Sequence, residues 1–179
     1  MDRFEIEQVL ESFRVIVDTR EQASIRATER FAALGDGLER ATLDYGDYSA
    51  NITLTTGKPL YDVAATRIYP SCIIERKMSL DELATCFTRG RDRFRREMER
   101  ARASGAKIYL LTEGGDWEKI YRHCYRSRFN PNAFIATLTA WMVRYEINVL
   151  FCRPGTSGKL IREILYRDIK ERLEKGEYG

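Results

Sequence analysis

Short β-branched runs alternate with longer helix-patterned segments along this chain, and that alternation excludes most fold classes. RVIVD ending in TRE (14–21), SCIIERK (71–77), KIYLLTE (107–113) and NVLFC (148–152) read as strands. ERATLDYGDYSANITLT alternates and breaks at Gly46, which gives two further strands around a bend. Between them lie helices. SIRATERFAALG has Ser24 and Gly35 as caps; SLDELATCF and RDRFRREMERARAS are separated at Gly90; DWEKIYRHCY starts at Asp116. NPNAFIATLTAWMVRYE has Asn130 at its N-cap and Pro131 in its first turn, and a last helix is capped by Thr156 and Ser157. The expected product is an α/β fold, a central mixed β-sheet flanked by helices.

Two of these strands end abnormally. CIIERK places Glu75, Arg76 and Lys77 where a core strand should continue, and VIVDTRE ends in Asp18, Arg20 and Glu21. Side chains alternate along a strand, so Glu75 and Lys77 share a face with Ile73, while Arg76 shares the other with Cys72 and Ile74. Taken alone, Glu75 and Lys77 read as a surface ion pair. Asp47, which follows Gly46 in DYGDYS, and Asp18 change that reading, because three strand ends then carry a carboxylate. Magnesium is a hard cation that prefers oxygen ligands and keeps several waters, so two or three carboxylates suffice to hold it. A neighbouring lysine can position water or offset phosphate charge, and the set is a workable phosphodiesterase site.

The ordered elements Gly46-Asp47, Glu75-Arg76-Lys77 and Asp81 resemble the GD…ERKxxxD pattern of the XPF-type structure-specific endonucleases, a branch of the restriction-endonuclease-like PD-(D/E)XK superfamily. VIVDTRE is similar to that family's first strand, and the resemblance runs over about residues 13–170 of a single nuclease domain spanning 1–179. It implies a divalent-metal-dependent DNA endonuclease of repair or recombination, acting at branched, fork or 3′-flap DNA. Asp47 and Glu75 would be metal ligands, with Asp18 contributing directly or through water. Mg2+ would be the cofactor, with Mn2+ able to substitute. Lys77 would position the attacking water, and Arg20, Glu21, Arg76 and Asp81 fill the remaining polar positions of the catalytic motif. Arg76 needs a local twist to join them or is structural. Asp81 is either a site residue or simply a carboxylate in the first turn of the helix that Ser79 begins.

The chain departs from the family in two respects. The segment NITLTTGKPLYDVAATRIYP (51–70) separates Asp47 from Glu75 more widely than in eukaryotic members, and a hairpin extension would accommodate it. Neither a helix-hairpin-helix pair nor a helicase fits in these residues. Family members without catalysis exist as DNA-binding or scaffold subunits, but they lose the acidic residues that this chain keeps. A sequence-specific restriction enzyme would need base-reading elements that are not evident.

Seven arginines fall between Arg89 and Arg102. Phe94, Met98 and Ala101 form a core stripe on that helix, and Arg93–Glu97 and Arg95–Glu99 are i,i+4 pairs. Arg89, Arg91, Arg96, Arg100 and Arg102 remain as a phosphate-binding face for DNA. The resemblance also implies a homodimer or heterodimer through the C-terminal helices, where Phe134, Leu138 and Met142, and Ile161, Leu165 and Ile169, offer apolar faces. GTSGKL near Gly155 lacks the spacing of a phosphate loop. His123 is the single histidine, so a histidine-based zinc or nuclease site is hard to build, and the cysteines 72, 86, 124 and 152 form no CxxC pair. No apolar run or signal pattern suggests membrane contact or export. The expectation is an intracellular protein, cytoplasmic, nucleoid-associated or nuclear.

Overall fold

The computed structural model describes residues 1–21 and 25–178, with Ile25 and Arg26 described by backbone alone. Ser24 lies outside the described residues. Among the described residues six strands form one sheet: β1 (Arg14–Asp18), β2 (Glu39–Ala41), β3 (Tyr48–Asn51), β4 (Cys72–Lys77), β5 (Lys107–Glu113) and β6 (Ile147–Cys152). Their spatial order is β2-β1-β3-β4-β5-β6. β3 alone runs antiparallel to its neighbours β1 and β4; the other pairings are parallel. The start of β3 therefore lies beside the ends of β1 and β4. That reversal is what brings residue 47 next to residues 18 and 75.

Helices cover both faces, as strands buried on two sides require. One layer contains α3 (Leu80–Phe87), α4 (Arg91–Ala103), α5 (Trp117–Tyr121) and α6 (Pro131–Tyr145). Its core joins Ile73, Leu83, Phe87, Phe94, Met98, Phe134, Leu138 and Trp141. The other contains α1 (Arg3–Glu11), α2 (Ile25–Ala33) and α7 (Pro154–Glu174). There Ile6, Val9 and Leu10 of α1 and Ile161, Leu165 and Ile169 of α7 pack on Val15, Val17, Cys72 and Ile74. α2 and α7 approach so closely that a Cβ on Gly158 would stand 2.5 Å from the carbonyl oxygen of Arg30. Ser157 and Gly158 thus belong to a helix-packing contact. α7 begins at Pro154, so the hydroxyls of Thr156 and Ser157 bond back to the carbonyls of Arg153 and Pro154 inside the first turn instead of capping it.

Of the apolar stripes expected to make a dimer, all but the half-buried Met142 are consumed by this core. Phe134, Leu138, Ile161 and Leu165 are wholly buried and Ile169 nearly so, because each faces the sheet within its own chain. The outward side of α6 instead carries Ala133, Ala136, Ala140 and Val143. Segment 51–70 folds back on itself: Leu60 donates to the Ile52 carbonyl, Thr53 pairs with Pro59, and the turn passes through Gly57. It then crosses the outer part of the sheet, where Ile68 pairs with Leu43. No helix among the described residues is long and apolar enough to cross a membrane.

Candidate active site

β4 presents its charges on two faces. Ile73 belongs to the α3/α4/α6 core, and Glu75 and Lys77 follow it on that side; Cys72 and Ile74 belong to the α7 side, and Arg76 follows them there. All three charged residues are largely withdrawn from water. Lys77 Nζ donates to Glu75 Oε1 and lies 5.2 Å from the Phe94 ring centre. Glu75 Oε2 is buried with no hydrogen-bond partner among the described residues.

Asp47 reaches this position through a glycine turn. Gly46 has φ +78°, and a Cβ there would meet Ile73 Cβ at 2.8 Å, so no other residue fits without moving the strand. The Asp47 N–H donates to the Ile74 carbonyl at 3.0 Å, and its own carbonyl accepts the Asp18 N–H at 2.9 Å. Its carboxylate accepts the Arg76 N–H at 2.7 Å. Asp47 is thereby locked between the ends of β1 and β4.

The electrostatics are unbalanced. Burial, reinforced by the Glu75 charge, pushes the Asp47 carboxyl up to about 8, against the pull of Lys77 and the Arg76 amide. Burial also raises Glu75, with Lys77 opposing it. Burial alone would lower Lys77, but Glu75 and Asp47 outweigh it and raise it, so its ammonium stays charged at neutral pH. A cleft of about 180 Å³ opens over the group, bordered by Arg20, Asp47, Glu75, Lys77, Arg93 and Glu97.

Residues 17–162 match the family described as the ERCC4 domain. The chain belongs to that family. Among solved structures it is similar to "XPF from Aeropyrum pernix" at 22% identity and a TM-score of 0.60, covering 92% of this chain and 69% of that one. It is similar also to "XPF from Aeropyrum pernix, complex with DNA" at 25% identity and a TM-score of 0.60, covering 89% of this chain and 66% of that one. This chain therefore spans about two thirds of their length. None of the curated proteins matches the sequence. The mixed sheet with helices on both faces is the restriction-endonuclease-like architecture of XPF.

Within this ERCC4 domain the sequence-expected residues separate into groups. Asp47, Glu75 and Lys77 come together. Asp18 does not join them: both its oxygens already accept hydrogen bonds, Oδ1 from the Arg20 N–H (2.8 Å) and Nε (2.6 Å), and Oδ2 from the Leu43 N–H (2.8 Å) and the Arg20 guanidinium (3.0 Å). With its lone pairs taken, Asp18 organises the loop after β1. Arg76 lies on the opposite face, with its side chain 3.2 Å from Glu21 and 3.3 Å from Glu113. Glu21 also meets buried Arg30 and the Tyr48 hydroxyl. Asp81 turns away to accept the N–H groups of Arg126 (2.8 Å) and Ser127 (2.7 Å).

The arginine helix is less free than its composition suggests. Arg100 is held by Asp44, at 2.8 Å to the carboxylate and 2.9 Å to the carbonyl, and Arg102 pairs with Glu146. Arg95–Glu99 forms at 3.2 Å. Glu97 instead accepts the Gly46 N–H at 3.0 Å and borders the cleft. Arg89, Arg91 and Arg96 are exposed. Sequence reasoning missed Arg30, Glu97 and Glu113. Glu97 was assigned to a neighbour one turn away, and the others act through partners far along the chain.

Mg2+ fits the Asp47–Glu75 pair on the chemistry of its donors. Two buried carboxylates lie together, one oxygen lacks a partner, and one carboxyl is driven to hold a proton. A divalent cation would remove each of these costs. Among the described residues no group of three or more His, Cys, Asp or Glu side chains is arranged to hold a metal ion, so such a cation would rely on two protein carboxylates and water.

Proposed function

We propose that this ERCC4 domain is a divalent-metal-dependent DNA endonuclease that hydrolyses phosphodiester bonds at branched, fork or 3′-flap structures. The observation that carries the reading is the under-satisfied pair Asp47 and Glu75 beside a charged lysine, with Glu75 Oε2 lacking a hydrogen-bond partner among the described residues. Asp47 and Glu75 would hold Mg2+, or Mn2+ in its place. The bound ion would polarise a phosphoryl oxygen and lower the pKa of its water. Gly46 and the Arg76 amide orient Asp47. Lys77 holds its proton at Nζ, so it acts by donating hydrogen bonds to water or phosphate and not as a base. Arg20 and Arg93 border the same cleft and supply positive charge for the substrate. The XPF relative in complex with DNA supports a nucleic-acid substrate.

A dimer through the outward side of α6 goes with this reading, since the inward apolar stripes are already used.

The test is magnesium-dependent nicking of a labelled fork, with EDTA as control and a 3′-flap, a Holliday junction and plain duplex of the same sequence alongside. Glu75→Gln should reduce cleavage by about 10²–10³-fold or more, while DNA affinity persists or rises because a charge that repels phosphate is gone. Full cleavage by Glu75→Gln would remove the proposed site. Binding without cleavage by the wild-type chain would support a non-catalytic DNA-binding subunit.

A further inference from the structure

Asp81 and the arginines beside it point to a second site. The loop between α5 and α6 is held rigidly. Asp81 Oδ1 takes its Arg126 and Ser127 N–H groups. The Tyr125 hydroxyl donates to the Phe129 carbonyl at 2.7 Å, and both rings pack on Phe134, with centres 5.4 and 5.3 Å away. His123 turns the chain with φ 54°, and its ring Nε2 lies 2.8 Å from the Ser127 carbonyl. This stapled loop presents Arg126 and Arg128 across an open cavity of about 650 Å³ from Arg89, with Asp81, Thr85 and Ser127 at its floor.

These guanidiniums are poorly neutralised. Arg126 is 94% exposed and only 3.5 Å from the Asp81 carboxylate, whose other oxygen is committed to backbone N–H groups. No ion pair forms at Arg89 or Arg128 among the described residues. Like charges repel, and a fixed loop that holds two of them opposite a third favours an anionic ligand. The cavity adjoins the cleft that reaches Glu75 and Lys77. Thr85 borders it and borders the neighbouring cleft lined by Glu75, Lys77, Glu82, Gly90 and Arg93.

We infer that Arg89, Arg126 and Arg128 form a backbone-phosphate subsite for the DNA strand leading away from the cleavage position, and that Asp81 is the positioning residue that fixes its loop. The inference rests on the reading of this chain as a DNA-processing domain. It assigns Asp81 to substrate placement and leaves the metal to Asp47 and Glu75.

Binding of a fluorescein-labelled fork in EDTA, measured across a salt series, separates the two. Each phosphate contact contributes about 0.9 to the slope of log affinity against log salt, so Arg126→Gln/Arg128→Gln should weaken binding and flatten the slope by about 2. Both side chains are exposed, so the fold is undisturbed. Asp81→Ala should weaken binding too, and Asp81→Asn, which keeps the acceptor oxygen, should bind as wild type does. Wild-type affinity and slope in the double variant would overturn the subsite while leaving the nuclease reading intact. Asp81→Asn as weak as Asp81→Ala would overturn the anchoring role. A wild-type chain that binds no fork at all would overturn the subsite together with the proposed function.

Discussion

The two faces of β4 carry the same kinds of charge in opposite condition. Behind the strand, Glu21 and Glu113 stand against Arg30 and Arg76, two negative charges against two positive, with Tyr48 bridging Arg30 and Glu21. In front, Lys77 is the one buried cation that meets Asp47 and Glu75, and the deficit appears as a carboxyl raised to about 8; an unpartnered oxygen alone does not mark it, since Glu113 Oε2 behind the strand also lacks a hydrogen bond among the described residues. A balanced ion cluster closes on itself and serves the fold. An unbalanced one, held rigidly and opening on a cleft, is arranged for something that is not part of the chain. Burial alone does not distinguish them, since both are withdrawn from water.

The sharpest way to break the balanced face is to remove one partner. Arg30→Ala leaves Glu21 and Glu113 short of a cation, and truncating one member of a buried ion cluster costs about 3–5 kcal/mol. Urea unfolding should show that loss at pH 7. A change below 1 kcal/mol would mean that the rear cluster is as loosely determined as the surface.

The front face should respond in the opposite direction. Without divalent cations, the unfolded chain releases the Asp47 proton near pH 4, whereas the fold keeps it up to about pH 8. Across that window the native state binds more protons, so stability falls as pH rises, by at most about 1.4 kcal/mol per pH unit, and levels off above pH 8. Asp47→Asn removes this loss. In EDTA it should match wild type near pH 4 and exceed it increasingly towards pH 8. A difference constant across that range would contradict the imbalance.

The smallest effect belongs to a pair with neither character. Arg102 and Glu146 are both largely exposed, so Arg102→Ala should alter the urea midpoint by less than about 1 kcal/mol. A larger loss would show that exposure is a poor guide to which charges matter here.

Much of the architecture was legible because it is written locally. KIYLLTE forms β5 over its full length, Asn130 and Pro131 begin α6, and Gly90 separates α3 from α4. The alternation in CIIERK sends Glu75 and Lys77 one way and Arg76 the other. α1 escaped notice although its capping signal is present: Asp2 and Glu5 bond reciprocally to each other's backbone, but only Ile6, Val9 and Leu10 mark its buried side. α5 is shorter than DWEKIYRHCY suggests, because His123 takes a left-handed conformation that ends the helix. Partners brought together by the sheet were not legible. Glu113 looks like the end of a strand until Arg76 and Arg30 are beside it, and Arg100 looks free until Asp44, 56 residues earlier, is found against it. Apolar periodicity likewise identifies the buried stripes of α6 and α7 without saying whether their own core or another chain covers them.

The single reversed strand has a further consequence for how such a domain can be remodelled. β3 starts directly after Asp47 and runs away from it, so the chain after Asn51 emerges at the far end of the sheet, where Thr53 meets Ser12. The hairpin tip there turns at Gly57, where a Cβ would meet no atom within 4 Å. Sequence length at this tip is uncoupled from the separation of Asp47 and Glu75, which β3 and β4 fix at the other end. The tip is therefore a seam at which lineages, or an engineer grafting a reporter module, can lengthen the chain while Asp47 and Glu75 keep their register.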